Sequence, residues 1–216
     1  MKNLLLLGDS IREGYDSFVR ENLKGRANVY FSEEDNGRFT EYTLRALGDW
    51  KRELALPEIH LVHWNNGLWD VLHLDARPSG KDAGTDGETI SPANVPAEFV
   101  FEKDPITPPE IYRYMLGRVL TRIRRLFPGA DVVFATTTPV IEEQATLLYR
   151  SNAEIGQYNA IAREVLIPRG VRINELGDFA AKACSHLHKD WTHFNDEGSA
   201  LLAGEIVRFL EQEKLI

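Results

Sequence analysis

The chain has 216 residues, of which 25 are Lys or Arg and 33 are Asp or Glu, giving a formal net charge of −8. This acidic balance argues against nucleic acid or an anionic membrane surface as the main partner, and a hydrophobic content of 43% is typical of a globular domain. The single cysteine, Cys184, cannot form an internal disulfide, and no apolar stretch resembles a signal peptide or a membrane span. We therefore expect a cytoplasmic protein.

Strands and helices are predicted to alternate along the chain. The first half contains expected strands at Leu4–Leu7, Asn28–Phe31 and Glu58–Trp64, with helices at Ile11–Leu23 and Thr40–Lys51. The second half contains expected helices at Pro109–Leu126, Ser151–Ile167 and Glu197–Glu213, with strands at Asp131–Ala135 and Val171–Asn174. Such alternation predicts one α/β domain over residues 1–216, with a five-stranded parallel sheet in the order 2-1-3-4-5 between two helical layers.

Two stretches require separate interpretation. The helix at Pro109–Leu126 carries five arginines, which we interpret as a solvated face rather than a binding patch: Arg113, Arg118, Arg122, Arg124 and Arg125. Residues 74–107 are rich in Gly, Pro and Asp, which is typical of a lid, a binding loop or a disordered insertion. Because this insertion follows the third strand, we expect a partly ordered rim, with a short strand at Glu98–Phe101.

A candidate nucleophile follows the first strand. Gly8-Asp9-Ser10 comes directly after the apolar run, so Ser10 is expected at the carboxyl end of a buried strand and at the start of a helix. The free N–H groups and the dipole of a helix N-terminus favour negative charge that develops there. The same three residues would also suit an ordinary turn followed by a helix N-cap.

A candidate base and its acid lie near the other end of the chain. Asp190 precedes His193 by three residues, immediately before the last predicted helix. A serine hydroxyl needs a base within hydrogen-bond reach, and a carboxylate that fixes the tautomer of that base completes the arrangement. The predicted topology brings the carboxyl ends of the strands to one edge of the sheet, where these residues would meet.

These two segments resemble the first and last sequence blocks of the SGNH (GDSL-type) hydrolases. The resemblance extends from Leu4 to about Leu210 and implies a flavodoxin-like three-layer α/β/α fold. It also implies metal-independent hydrolysis of a small carboxylic ester by Ser10, His193 and Asp190, with no cofactor. A carbohydrate O-acetyl ester is the favoured substrate, and lipid and thioester substrates remain open.

The resemblance further implies an oxyanion hole that combines the N–H groups of Ser10 and Gly37 with an asparagine amide. Asn36-Gly37 would equally suit a simple turn. Residues 63–70 read His-Trp-Asn-Asn-Gly-Leu-Trp-Asp, which departs from the usual Gly-x-Asn-Asp block and resembles a variant subgroup. The resemblance places the amide donor two residues before Gly67, at Asn65, with Asn66 as second candidate. The two cannot both face Ser10, because successive side chains at a strand end face opposite sides.

Aromatic residues flank these blocks and are expected to form a wall at the rim of the site: Tyr15, Trp64, Trp69 and Trp191. Two alternatives to the serine esterase stay open. The first is a metal-dependent hydrolase that uses the grouped side chains of the penultimate loop, namely His186, His188, Asp190 and His193. The second is a non-catalytic binding domain on the same fold, because fold does not fix function.

Overall fold

The computed structural model describes residues 1–74, 77–78, 99–100, 104–144 and 148–216. Its strands are β1 (Lys2–Leu7), β2 (Ala27–Tyr30), β3 (Leu61–Trp64), β4 (Arg77–Pro78), β5 (Phe99–Val100), β6 (Asp131–Ala135) and β7 (Arg172–Asn174). Its helices are α1 (Ser10–Asn22), α2 (Thr40–Glu53), α3 (Pro109–Leu126), α4 (Asn152–Leu166), α5 (Leu176–Ala183) and α6 (Asp196–Gln212). Short 3₁₀ turns span Glu142–Gln144 and Ile167–Arg169.

The main sheet has five parallel strands in the order β2-β1-β3-β6-β7. Counted along the chain, these are strands 2-1-3-4-5, so the predicted topology is confirmed. The register pairs Leu7 of β1 with Trp64 of β3, and Trp64 with Phe134 of β6. The loops that follow these strands therefore emerge side by side at one edge of the sheet.

Helices cover both faces of the sheet. α1, α5 and α6 form one connected group and α2, α3 and α4 form the other, which gives the two outer layers. Leu4, Leu5, Leu6 and Leu7 of β1 are all nearly inaccessible to solvent, as expected for a central strand that is buried on both faces. The predicted three-layer α/β/α fold is confirmed. Within the described ranges, no helix is both long and apolar enough to cross a membrane.

Several elements differ from the prediction in their bounds or existence. β3 begins at Leu61 rather than at residue 58, because Glu58, Ile59 and His60 lie ahead of its parallel ladder. α5 was not predicted, since eight residues are too few to establish a helical period. Of the expected strand at residues 98–101, Phe99–Val100 pairs with Arg77–Pro78, and the rest of this stretch lies outside the described residues.

Candidate active site

Ser10 occupies the first position of α1. The N-cap is Asp9, whose Oδ1 accepts a hydrogen bond of 3.0 Å from the backbone N–H of Ile11. The N–H of a first helical residue has no acceptor within its own helix, so that of Ser10 is free to serve a bound group. The Gly8-Asp9-Ser10 segment thus forms a capped helix start and also positions Ser10 as a candidate nucleophile.

The three residues predicted to form a triad come together. The Ser10 Oγ lies 2.8 Å from the Nε2 of His193, and the Nδ1 of the same ring lies 2.9 Å from the Oδ2 of Asp190. Oδ1 of Asp190 also accepts the backbone N–H groups of Thr192 at 2.8 Å and His193 at 2.7 Å. These bonds orient both the carboxylate and the imidazole ring toward Ser10.

The carboxylate of Asp190 is tuned to stay ionised. Burial by itself would raise its pKa, but hydrogen bonds from the His193 and Thr192 N–H groups and from the imidazole outweigh that effect and hold the pKa below its usual value. An ionised Asp190 favours the tautomer in which Nδ1 of His193 carries the proton. Nε2 is then the acceptor for the Ser10 hydroxyl, which is the arrangement required of a general base.

An open cleft of about 330 Å³ lies beside the triad. Its lining consists of Ser10, Ile11, Glu13, Gly14, Lys189, Asp190, His193, Phe194 and Ser199. This volume is within the range that accommodates small-molecule ligands. The Ser10 hydroxyl and the imidazole therefore face a space that a small substrate can enter.

Two buried carboxyl groups hold the backbone around the site. Burial raises the pKa of Asp9 to about 6, against the opposing effect of the hydrogen bond from Ile11. Burial also raises the pKa of Asp70 to about 6, although its Oδ1 accepts both the N–H of Thr40, at 3.0 Å, and the Thr40 hydroxyl, at 2.7 Å. Asp70 thus caps α2 from the loop that follows β3. Sequence reasoning gave neither carboxyl group a role.

Gly37 lies against the nucleophile turn. Its N–H donates to the carbonyl oxygen of Gly8 at 2.6 Å, and a Cβ atom at this position would lie 3.1 Å from that oxygen. Close backbone approach therefore explains the glycine. To act as an oxyanion donor, as the resemblance implies, the Gly37 N–H would have to leave the Gly8 carbonyl.

The two candidate amide donors have different surroundings. Asn66 is fully buried: its Oδ1 accepts from the indole of Trp64 at 2.6 Å and its Nδ2 donates to the Arg38 carbonyl at 2.9 Å. Asn65 retains 7% exposure, and its Nδ2 donates to the carbonyl of Ala135 at 3.0 Å. An amide nitrogen carries two protons, so Nδ2 of Asn65 keeps a second donor.

Two of the four residues expected to form an aromatic wall point into the core. Tyr15 and Trp64 are 1% and 0% exposed, and they pack edge-on against His63 and Phe134 in the core. The prediction that these two residues line the rim was wrong, because adjacency to a motif does not fix the direction of a side chain. Trp69 and Trp191 are half-buried, and neither lines the cleft beside Ser10 and His193.

The histidines of the penultimate loop do not form a ligand set. His186 is exposed, and the ring of His188 lies 4.2 Å from that of Phe194, measured between centroids. Across the described ranges, no three His, Cys, Asp or Glu side chains are grouped so that they could hold a metal ion. His193 instead faces Ser10.

Sequence reasoning also missed Arg150. Its side chain is 5% exposed, and its Nε donates to the carbonyl of Leu68 in the loop after β3. The guanidinium carbon lies 5.1 Å from the ring centroid of Trp191, which directly follows Asp190 in the sequence. The only available signal was an arginine ahead of a predicted helix, which does not distinguish a buried residue from an exposed one.

Comparison with known proteins supports the fold. No protein-family model and no curated protein matches this sequence. Among solved structures, a lipase/acylhydrolase from Enterococcus faecalis matches with a TM-score of 0.66 and 18% identity, over 99% of this chain and 97% of its own. A carbohydrate esterase family 3 protein from Talaromyces cellulolyticus matches with a TM-score of 0.63 and 17% identity, over 98% and 97% of the two chains.

A member of the lipolytic protein G-D-S-L family from Veillonella parvula matches with a TM-score of 0.58 and 13% identity, over 96% of this chain and 97% of its own. These identities are too low to transfer an activity, and they establish similarity of fold. The chain has the α/β/α architecture of SGNH-type lipolytic esterases.

Proposed function

We propose that this protein is a metal-independent serine esterase that hydrolyses a small carboxylic ester through an acyl-enzyme. The observation that carries the proposal is the continuous hydrogen-bonded chain from the Ser10 hydroxyl through the His193 imidazole to the Asp190 carboxylate, with distances of 2.8 and 2.9 Å. Both distances lie within the range required for a nucleophile and its base.

The reaction proceeds by two transfers through one imidazole. Ser10 Oγ attacks the acyl carbon while Nε2 of His193 takes the hydroxyl proton, giving a tetrahedral oxyanion. Collapse breaks the bond between the acyl carbon and the alcohol oxygen, and Nε2 returns the proton to the departing alkoxide. Water then attacks the acyl-enzyme, gives its proton to Nε2, and releases the acid as Ser10 regains its hydrogen. Asp190 stabilises the imidazolium in both halves.

The oxyanion is held by donors at the start of α1 and after β3. The N–H of Ser10 points from the helix N-terminus, and we assign the side-chain donor to the second amide proton of Asn65. Gly37 would add a third donor if its N–H exchanges the Gly8 carbonyl for the substrate oxygen. Each donor aimed at the developing charge contributes about 3–4 kcal/mol to lowering the barrier.

A short acyl group, such as an acetyl group on a carbohydrate, is the favoured substrate. The cleft volume of about 330 Å³ suits a small ligand. One structure of similar fold is described as a carbohydrate esterase, which agrees with this preference.

The test is hydrolysis of nitrophenyl esters of increasing acyl length, run beside acetylated sugars. Wild type should cleave the short esters, and Ser10→Ala should lower kcat by roughly 10⁴-fold or more, because removing one triad member leaves only binding and oxyanion stabilisation. Circular dichroism should show an unchanged fold. Wild-type turnover by Ser10→Ala would mean that another group attacks the ester.

Ser199 provides a matched control. It is a second serine in the lining of the same cleft, and it makes no hydrogen bond to the triad among the described residues. Ser199→Ala should therefore keep most of the activity. A chelator should leave the wild-type rate unchanged, and loss of activity on chelation would favour the metal-dependent alternative.

A further inference from the structure

Arg150 joins two loops of the candidate active site. It lies just before α4, and its Nε donates to the Leu68 carbonyl in the loop after β3. Its guanidinium stacks at 5.1 Å on the ring of Trp191, which directly follows the catalytic Asp190. The guanidinium is therefore held between the loop that carries Asn65 and the loop that carries the acid and base.

Arg150 is buried, and among the described residues no carboxylate lies at ion-pair distance from it. The residue is only 5% exposed. The buried Asp9 carboxyl acts on its charge from beyond that distance and partly offsets the effect of burial on the pKa of Arg150. The two Nη atoms of Arg150 make no hydrogen bond to any described residue, so one of the five N–H donors of the group is used. Burial lowers its pKa to about 10, so the group remains a cation at neutral pH.

Arg12 is a buried arginine whose charge and Nη atoms are paired, although its Nε has no partner among the described residues. It is 2% exposed and forms an ion pair with Asp16 at 2.7 Å. Its Nη atoms also donate to the carbonyl oxygens of Ser32 and Asp35, at 2.7 and 2.8 Å. Buried cations are ordinarily paired in this way, because an unpaired charge costs several kcal/mol. Arg150 lacks such a pairing and lies beside the catalytic loop.

We propose that Arg150 binds a carboxylate of the substrate, so that the enzyme prefers esters carrying a negative charge near the scissile bond. This inference rests on the proposed esterase function. A planar guanidinium whose Nη donors are unused by the described residues matches a carboxylate in a two-point contact. The bond from Nε to the Leu68 carbonyl and the cation–π contact with Trp191 hold the group in place. The substrate would place its ester carbonyl at Ser10 and its carboxylate at Arg150.

The experiment compares matched charged and neutral esters. One pair places the charge on the acyl side: 4-nitrophenyl hemisuccinate and its methyl ester. The other places it on the alcohol side: 4-acetoxybenzoate and its methyl ester. The readout is the ratio of kcat/KM for the charged over the neutral member, which cancels any loss of folded enzyme. Variants are Arg150→Met and Arg150→Lys, with the exposed Arg118→Met as control.

In wild type we expect a charged-over-neutral preference for at least one pair, and that pair identifies the side on which the carboxylate lies. Arg150→Met should reduce this ratio by roughly 10- to 100-fold, the value of a hydrogen bond between charged groups. Arg150→Lys should retain part of the preference, and Arg118→Met should retain all of it. If Arg150→Met fails to fold, inhibition by succinate should weaken in Arg150→Lys relative to wild type.

An unchanged ratio in Arg150→Met, or undiminished succinate inhibition in Arg150→Lys, would overturn the inference. The proposed function fails separately. In that case wild type cleaves no ester, or cleaves neutral esters without needing Ser10. Hydrolysis of neutral esters that depends on Ser10 but shows no charge preference would retain the triad and refute only the role of Arg150.

Discussion

Two adjacent asparagines follow β3, and replacing each of them should affect a different property. Asn66→Ala should mainly lower stability, and Asn65→Ala should mainly lower catalysis. Asn66→Ala removes the acceptor for the Trp64 indole and the donor to the Arg38 carbonyl, which leaves both groups without their present partner. A buried polar group without a partner costs about 1–3 kcal/mol, so the two together cost about 2–6 kcal/mol. In a chain of this size, that lowers Tm by roughly 4–24 °C.

Asn65→Ala removes a single described hydrogen bond, the one to the Ala135 carbonyl, so the expected loss of stability is about 1–3 kcal/mol. Its effect on catalysis should be larger, because the second amide proton is proposed to stabilise the oxyanion. We expect kcat to fall by about a hundredfold with little change in KM, since the donor acts mainly in the transition state.

Thermal unfolding and steady-state kinetics on a short nitrophenyl ester separate the two effects. Both should be run at temperatures well below the lower Tm, so that the folded fraction is equal for the two variants. If Asn66→Ala keeps its Tm and loses a hundredfold in kcat while Asn65→Ala stays active, the assignment of the donor is reversed. If neither variant loses kcat, the oxyanion hole contains no asparagine amide.

Two further predictions concern the buried Asp70 and the histidines of the penultimate loop. The folded pKa of Asp70, about 6, exceeds its ordinary value of 3.8, so its contribution to stability is full below about pH 4 and is lost as pH rises through 6. At about 1.4 kcal/mol per pH unit, the free energy of unfolding should fall by about 3 kcal/mol. Urea unfolding at pH 4 and pH 8 measures this fall, and Asp70→Asn should abolish it. Glu143→Gln, at an exposed site, should not. His186→Ala and His188→Ala should retain most esterase activity, and a loss that added zinc restores would refute the serine mechanism.

The fold and the triad could be predicted because each depends on local patterns combined with a topological rule. The leucine run of β1 identifies a central strand, and the alternation of elements leaves few possible sheet orders. Ser10 and His193 both follow this logic, since Ser10 begins the helix that follows β1 and His193 lies in the segment between α5 and α6, after β7. Their 2.8 Å contact is the result of that placement.

The directions of individual side chains could not be predicted in the same way. Tyr15 and Trp64 lie next to sequence blocks of the site and nevertheless point into the core, where other elements provide their partners. The partners of Asn65 and Asn66 are the carbonyl oxygens of Ala135 and Arg38, which are distant in sequence. Tertiary contacts of this kind leave no periodic trace in the chain.

Ser10, the proposed nucleophile, lies on the first helix, and His193, its proposed base, lies just before the last one. α1 and α6 pack against each other. A nascent chain on the ribosome therefore has no complete triad until His193 has emerged and α6 has docked, even when the sheet has already begun to form. Ester hydrolysis would therefore begin only when the last step of folding, the docking of α6, is complete. A mutation that loosens α6 alone should abolish the proposed esterase activity while most of the sheet persists.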